Sequence, residues 1–195
     1  MKRVLLSAGH DNTFYGAASH HYYLTEHHTA LSICDMVCRL MHGKVMFLDC
    51  DQFTCDFTNI NTSLKYKINT VNNMHRDSPI DLCLELHFNA SEDHTAHGSE
   101  VLYHADSPAG KYYASIFQPL LEHFDGKVDG RPNKHTTTKA FISHTVPPSI
   151  ILEPLFIDNP TDSAILLTQS GRMKLAIAIA DGINLSMKDS DVKEH

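Results

Sequence analysis

Short apolar runs alternate along the chain with longer segments in which apolar residues recur at helical spacing. The short runs predict β-strands at residues 3–8, 44–48, 82–87, 98–104, 140–142 and 149–152. The runs at 82–87 and 149–152 are almost continuously apolar, which is typical of central parallel strands that are buried on both faces.

The segments between these strands have the spacing of helices. We predict helices at residues 26–42, 62–76, 110–124 and 162–185, with Gly171 marking a point at which the last could divide. Thr25 is suited to be the N-cap of the first helix, and the helix dipole favours Glu26 in its first turn. Residues 125–138 predict a surface loop, and residues 186–195 a polar, frayed tail.

Strands that alternate with helices predict an α/β protein. We expect one three-layer domain, with a twisted, mostly parallel central sheet flanked by helices. The 195 residues, 42% of them apolar, suffice for a single domain with its own core. No repeat or linker divides the chain, so residues 1–185 are expected to form this domain.

Four residues at the predicted strand and helix ends indicate metal-assisted hydrolysis. His10, His87 and Glu153 each end an apolar run, and Glu26 opens the first helix. Ligand sites of open α/β sheets lie beyond the carboxyl ends of the strands, so these side chains are expected to meet. Two histidines and one carboxylate are a common catalytic Zn²⁺ set. The other carboxylate is then free to move protons.

Each assignment has a structural alternative. Glu153 could form an ion pair with Arg131 or Arg172 instead of transferring protons. Glu85 shares a strand face with His87, and it could either orient a ligand histidine or pair with a buried cation. Other histidines lie near Glu26 and are more simply interpreted as surface or loop residues: His20, His21, His27 and His28.

Composition excludes several classes of partner. The formal net charge of −7 argues against nucleic acid and gives no attraction to anionic membranes. No apolar stretch approaches the ~20 residues that span a bilayer. The first residues do not have the apolar run of a signal peptide, so we expect synthesis in the cytoplasm without export by that route. The five cysteines, among them Cys50 and Cys55, are then expected to be reduced.

The ordered motifs resemble the zinc-dependent N-acetylmuramoyl-L-alanine amidases of the type 3 family, from Leu5 to Ile183. The similarity lies in Ser-Ala-Gly-His-Asp at 7–11, Gly-Ala at 16–17, Glu26, the segment 81–90 that ends His-Phe-Asn-Ala, Gly-Ser-Glu-Val at 98–101, the segment 151–159 and the final helix at 178–183. Three positions depart from the family. Ser7 and Ala8 replace its usual Asp-Pro, and Glu85 stands where a small polar residue is common.

The resemblance implies that residues 1–185 are a catalytic domain that cleaves the amide between N-acetylmuramic acid and L-alanine in peptidoglycan. It implies that His10, Glu26 and His87 bind zinc and that Glu153 is catalytic. A phage endolysin released at lysis would reconcile a cytoplasmic product with a cell-wall substrate, and so would a bacterial amidase that is exported with a segment outside this sequence. A different zinc peptidase and a non-catalytic peptidoglycan-binding module are the alternatives. The oligomeric state is left open.

Overall fold

The computed structural model describes residues 2–52, 59–126 and 130–188. The strands are β1 (Val4–Ala8), β2 (Met46–Leu48), β3 (Leu82–Leu86), β4 (Glu100–His104), β5 (Lys134–Thr136) and β6 (Ser149–Glu153). The helices are α1 (Glu26–Met41), α2 (Ile60–Asp77), α3 (Pro108–His123), α4 (Ala140–His144), α5 (Pro160–Leu167) and α6 (Gln169–Lys188), and a 3₁₀ turn spans Cys50–Gln52.

The six strands form one sheet in the order β2-β1-β3-β6-β4-β5. The sheet is parallel from β2 through β1 and β3 to β6. Strand β4 is antiparallel to β6, and β5 is parallel to β4. The carboxyl ends of β1, β3 and β6 therefore share one edge with the amino end of β4. At this edge Glu100 lies opposite Glu153.

Each face of the sheet carries its own hydrophobic core. Leu6 of β1 points into the core made with α1, α3 and α6, and its neighbour Leu5 points into the core made with α2 and α4. Every residue of β1, β3 and β6 is buried, which explains why their sequences are mostly apolar. The predicted single-domain, three-layer α/β fold with a mostly parallel sheet is confirmed.

Local sequence determines where the helices begin. Thr25 has the extended backbone of an N-cap, as predicted, but its hydroxyl contacts His28 rather than the helix amides. Asn59 and Ser107 do cap α2 and α3, since their side-chain oxygens accept from amides three residues on.

Two short elements differ from the sequence prediction. Residues 140–142, predicted to be a strand, begin the one-turn helix α4, in which the amide of Thr145 donates to the carbonyl of Phe141. Three apolar residues cannot distinguish a buried turn of helix from a strand. The predicted loop at 125–138 contains β5, an edge strand of largely exposed residues that is defined by backbone pairing with β4.

The last helix extends further towards the C-terminus than the sequence predicts. α6 continues to Lys188, three residues into the predicted tail, because Ser186 is buried and its hydroxyl donates to the carbonyl of Gly182 at 2.8 Å. Residues 189–195 lie outside the described residues. The last predicted helix does divide, but between α5 and α6 at Thr168 rather than at Gly171.

Two sequence expectations concern the environment of the protein. Across the described ranges, no helix combines the length and the apolar character needed to cross a membrane. The described cysteines are free thiols: Cys34, Cys38, Cys50 and Cys83. Cys55, which was also expected to be reduced, lies outside the described residues.

Candidate active site

The structure brings His10, Glu26 and His87 together at the carboxyl edge of the sheet. Nε2 of His10 lies 3.1 Å from Oε2 of Glu26, and Nδ1 of His87 lies 2.7 Å from Oε1 of the same carboxylate. The three potential ligand atoms all lie within 4.8 Å of one another. Two imidazole nitrogens therefore converge on one carboxylate, as expected from the sequence.

The loop after β1 packs unusually close to these side chains. His10 has φ 60°, in the left-handed region that a non-glycine residue enters only when its surroundings hold it there. A Cβ atom at Gly9 would overlap the ring of His87. A Cβ atom at Gly16, whose φ is 74°, would overlap both His10 and Glu26. The two glycines thus leave the space in which the cluster assembles.

Glu26 is held in its ionised form. The carboxylate is buried and also accepts from the backbone amides of Ala17, at 3.0 Å, and Phe88, at 3.2 Å. Burial alone would raise its pKa, but the contacts with His10 and His87 outweigh burial and lower the pKa of Glu26 well below its usual range. An ionised carboxylate is the form that binds a cation.

Glu85 has both partners that the sequence left open. Its Oε2 contacts Nε2 of His87 at 3.0 Å, and its Oε1 accepts from Nζ of Lys67 at 2.8 Å. Lys67 is itself buried, and it also donates to the backbone carbonyl of Ala8, the last residue of β1, at 2.8 Å. One buried ammonium group therefore ties the strand before His10 to the carboxylate that holds His87.

Both ring nitrogens of His87 face carboxylates. Burial would lower its pKa, but Glu85 and Glu26 outweigh burial and raise the pKa of His87 above its ordinary value in the metal-free site. Glu85 accepts a hydrogen bond from Nε2 of His87, and Nδ1 of His87 is directed at Glu26. This division of the two nitrogens suits a metal ligand, since such histidines commonly donate their second N–H to a carboxylate.

Glu153 lies at the end of β6 and lines the same cavity of about 110 Å³ as His10 and His87. Burial raises its pKa to about 7, and nearby Glu26 and Glu100 act in the same direction against the opposing charges of His87 and Lys139. Its Oε2 atom is buried and has no hydrogen-bond partner among the described residues.

Neither arginine proposed as an ion-pair partner contacts Glu153. Arg131 lies 3.8 Å from Glu100, and Arg172 donates to the carbonyl of Leu166 at 2.7 Å. A buried carboxyl group with a pKa near neutrality can both accept and donate a proton, which a structural ion pair would prevent.

The remaining histidines near Glu26 lie outside the cluster. His27 is fully buried and contacts the carbonyl of Gly9 at 2.7 Å and Asp51 at 3.0 Å, so it anchors the loop that carries His10. His28 contacts Thr25 and Asn12, and the ring of His20 packs on that of His94.

Two residues that support the site, Lys67 and His27, are not evident from the sequence. Lys67 falls among polar residues of α2, where a lysine normally indicates a solvent-exposed face. His27 was one member of a histidine doublet with no mark of burial. The unexplained charge of Glu85 within a buried strand was the one available signal, because it required a cation whose position the sequence did not reveal.

The family model for N-acetylmuramoyl-L-alanine amidase matches residues 4–185. The chain belongs to this family. It is therefore an enzyme of the N-acetylmuramoyl-L-alanine amidase class, and it acts on peptidoglycan. A non-catalytic binding module and a peptidase of another class are thereby set aside. No curated protein matches the sequence.

Solved amidase structures share the fold. The catalytic domain of the amidase CwlV from Bacillus (Paenibacillus) polymyxa is 22% identical with a TM-score of 0.80, and the match covers 99% of this chain and 100% of that one. CwlD from Clostridioides difficile, solved with the GerS lipoprotein, is 20% identical with a TM-score of 0.82 and coverages of 96% and 100%. The catalytic domain of the CD27L endolysin, which targets Clostridia difficile, is 24% identical with a TM-score of 0.77 and coverages of 95% and 98%.

The residues of this amidase fit a zinc ion by their chemistry. Two neutral imidazoles and one carboxylate are a donor set found at catalytic zinc, which leaves a further position for water or substrate. The unpartnered Oε2 atom of Glu153 lies buried in the wall of the same cavity, where such a water could donate to it. The cluster of His10, Glu26 and His87 is thus a possible metal site of the amidase.

Proposed function

We propose that this amidase is zinc-dependent and cleaves the amide between the lactyl group of N-acetylmuramic acid and L-alanine. One observation carries the proposal. Two histidines converge on the ionised carboxylate of Glu26, and Glu153 adds a buried, unpartnered carboxyl group to the same cavity. Metal ligands and a proton carrier therefore share one concave site, as metal-assisted amide hydrolysis requires.

In this mechanism His10, Glu26 and His87 would hold the zinc ion, which polarises the scissile carbonyl and makes water more acidic. Glu153 accepts the proton of the attacking water and then donates it to the leaving amine of L-alanine. In the metal-free site burial raises the pKa of Glu153 to about 7, so near neutral pH this carboxyl group is not strongly biased toward either protonation state. Glu85 keeps His87 oriented through Nε2, and Lys67 holds Glu85 in place.

We also propose that the enzyme acts lytically on the cell wall. Cleavage at this amide separates the peptides from the glycan chains, so it removes the cross-links that give the wall its strength. Either origin suggested by the sequence, a phage endolysin or a bacterial amidase, is compatible with that chemistry. A fall in the turbidity of a suspension of purified cell walls measures this activity.

Metal dependence is tested by removing zinc and restoring it. We expect a chelator to abolish release of peptides from peptidoglycan and stoichiometric zinc to restore it. Glu153→Gln should bind zinc but lose nearly all turnover, whereas His87→Ala should lose zinc as well. Glu92→Gln, at an exposed carboxylate, is the matched control and should behave as the wild type. Full activity of zinc-free protein would contradict the proposal.

A further inference from the structure

The cavity that contains Glu153 is lined by two chemically different sets of residues. One set consists of the polar groups of the active site. Helices α2 and α4 form an apolar wall, in which Ile60 and Leu64 face Phe141. Lys139 lines the cavity immediately before α4 and is exposed to solvent. A ligand bound in this cavity beside Glu153 can therefore contact both an apolar surface and a cation.

Lys139 is free to bind a ligand. Among the described residues its ammonium group has no hydrogen bond or ion pair, and its side chain does not take part in capping α4. The other lysine that lines the cavity, Lys67, is buried and engaged by Glu85 and by backbone carbonyls. The charge of Lys139 also acts on the Glu153 carboxyl group, which places the two in electrostatic reach.

The two halves of the substrate differ in charge. In the muramoyl half, the lactyl carboxyl group is consumed in the scissile amide, so this half offers no anion beside the bond. In the peptide half, an apolar methyl group on L-alanine is followed by residues that can carry free carboxylates. An apolar wall beside an unpaired ammonium group is complementary to the peptide half and not to the glycan half.

We propose that the cavity between α2 and α4 binds the peptide half of the substrate, and that Lys139 pairs with a free carboxylate on the second residue of the stem peptide. This inference rests on the proposed function, because it assigns one half of that substrate to a place in the site. The methyl group of L-alanine lies against the apolar wall formed by α2 and α4. The enzyme therefore prefers stem peptides whose second residue carries a carboxylate over those carrying a carboxamide.

The test compares two synthetic muramoyl peptides that differ only in a carboxylate or a carboxamide on the second residue. Their dissociation constants are measured with zinc-loaded Glu153→Gln protein, so binding is read without turnover. A charge-assisted hydrogen bond predicts about 10-fold tighter binding of the carboxylate. Raising the salt concentration to 1 M should reduce this preference, because the ion pair is exposed.

Substitutions of Lys139 in the same background identify the source of the preference. Lys139→Met should abolish it by weakening only the carboxylate ligand, and Lys139→Arg should retain it. Lys111→Met removes an exposed lysine on α3 and should leave it unchanged. Equal melting temperatures would show that these variants fold alike.

The outcomes separate this inference from the proposed function. Equal binding of the two ligands, or a preference that persists in Lys139→Met, would overturn the role of Lys139. An equal loss of affinity for both ligands would overturn it too, because it would indicate a contact common to the two. Cleavage of the muramoyl amide by the wild type is measured separately, and its absence would count against the proposed function instead.

Discussion

Oε2 of Glu85 lies 3.0 Å from Nε2 of His87, and both atoms belong to side chains that are largely shielded from water. The other oxygen of Glu85 accepts from Lys67, whose side chain is only 2% exposed. Orienting a histidine and neutralising a buried cation are therefore two functions of one carboxylate. Because both partners of Glu85 are hydrogen-bond donors, the site depends on two acceptor oxygens at this position.

Glu85→Gln should weaken zinc binding by about 10–100-fold, the usual cost of losing a carboxylate partner of a ligand histidine. The amide keeps only one acceptor and places an N–H group against either Lys67 or His87. We also expect a lower melting temperature, because Lys67 loses its counter-charge. Competition with a chromogenic chelator measures the affinity, and Glu92→Gln is the control. A lower melting temperature with unchanged zinc affinity would show that Glu85 has a purely structural role.

Lys67→Met should destabilise the metal-free protein by about 3 kcal/mol or more, since it leaves the Glu85 carboxylate buried without its cation. The double variant Lys67→Met/Glu85→Gln should lose less stability than the two single variants together. Urea unfolding of the wild type, the two single variants and the double variant gives the interaction free energy between the two side chains. For contacting residues this energy is about 0.5–3 kcal/mol. Strict additivity would mean that the two side chains do not interact.

Much of the site could be predicted because its residues follow the apolar runs directly. His10, His87 and Glu153 are placed by β1, β3 and β6, whose burial is evident from sequence, and parallel pairing brings their ends to one edge. The prediction of Glu26 as a site residue rests on its position in the first turn of a helix with a clear apolar stripe. The same spacing of apolar residues therefore predicts both the fold and the position of the candidate site.

Other features depend on contacts that periodicity does not encode. Lys67 is buried because its long side chain reaches carbonyl and carboxylate oxygens from β1 and β3, residues distant in sequence. β5 has no apolar face and exists through backbone hydrogen bonds, so its side chains give no sign of it. α4 is a single turn, too short for the helical period to appear.

Zinc should stabilise the folded protein through the proposed ligands and not through the other histidines. A concentration 1,000 times the dissociation constant adds about 4 kcal/mol to the free energy of unfolding. We expect zinc to raise the melting temperature of the wild type and of His20→Ala, but not of His10→Ala. His20 is a suitable control because its ring packs on His94, outside the cluster. If zinc also stabilised His10→Ala to the wild-type extent, His10 would not be a ligand.

Glu153 should make the stability of the metal-free protein depend on pH. Burial raises its pKa from 4.5 to about 7, so its stabilising contribution is complete below pH 4.5 and is lost as the pH rises through 7. At about 1.4 kcal/mol per pH unit, this difference amounts to as much as about 3 kcal/mol.

Glu153→Gln cannot ionise, so its stability relative to the wild type should rise between pH 5 and pH 8. Urea unfolding of the metal-free proteins at both values measures the change, and Glu92→Gln should show none. A constant difference between Glu153→Gln and the wild type at the two pH values would contradict the raised pKa.

Mass spectrometry of the products from a defined muramoyl peptide tests the site and its reaction together. Zinc-loaded wild-type protein should release free N-acetylmuramic acid and an intact peptide beginning with L-alanine. Glu153→Gln, loaded with the same amount of zinc, should leave nearly all of the substrate uncut. Cleavage within the peptide, or wild-type turnover by Glu153→Gln, would contradict hydrolysis of the muramoyl amide by this residue.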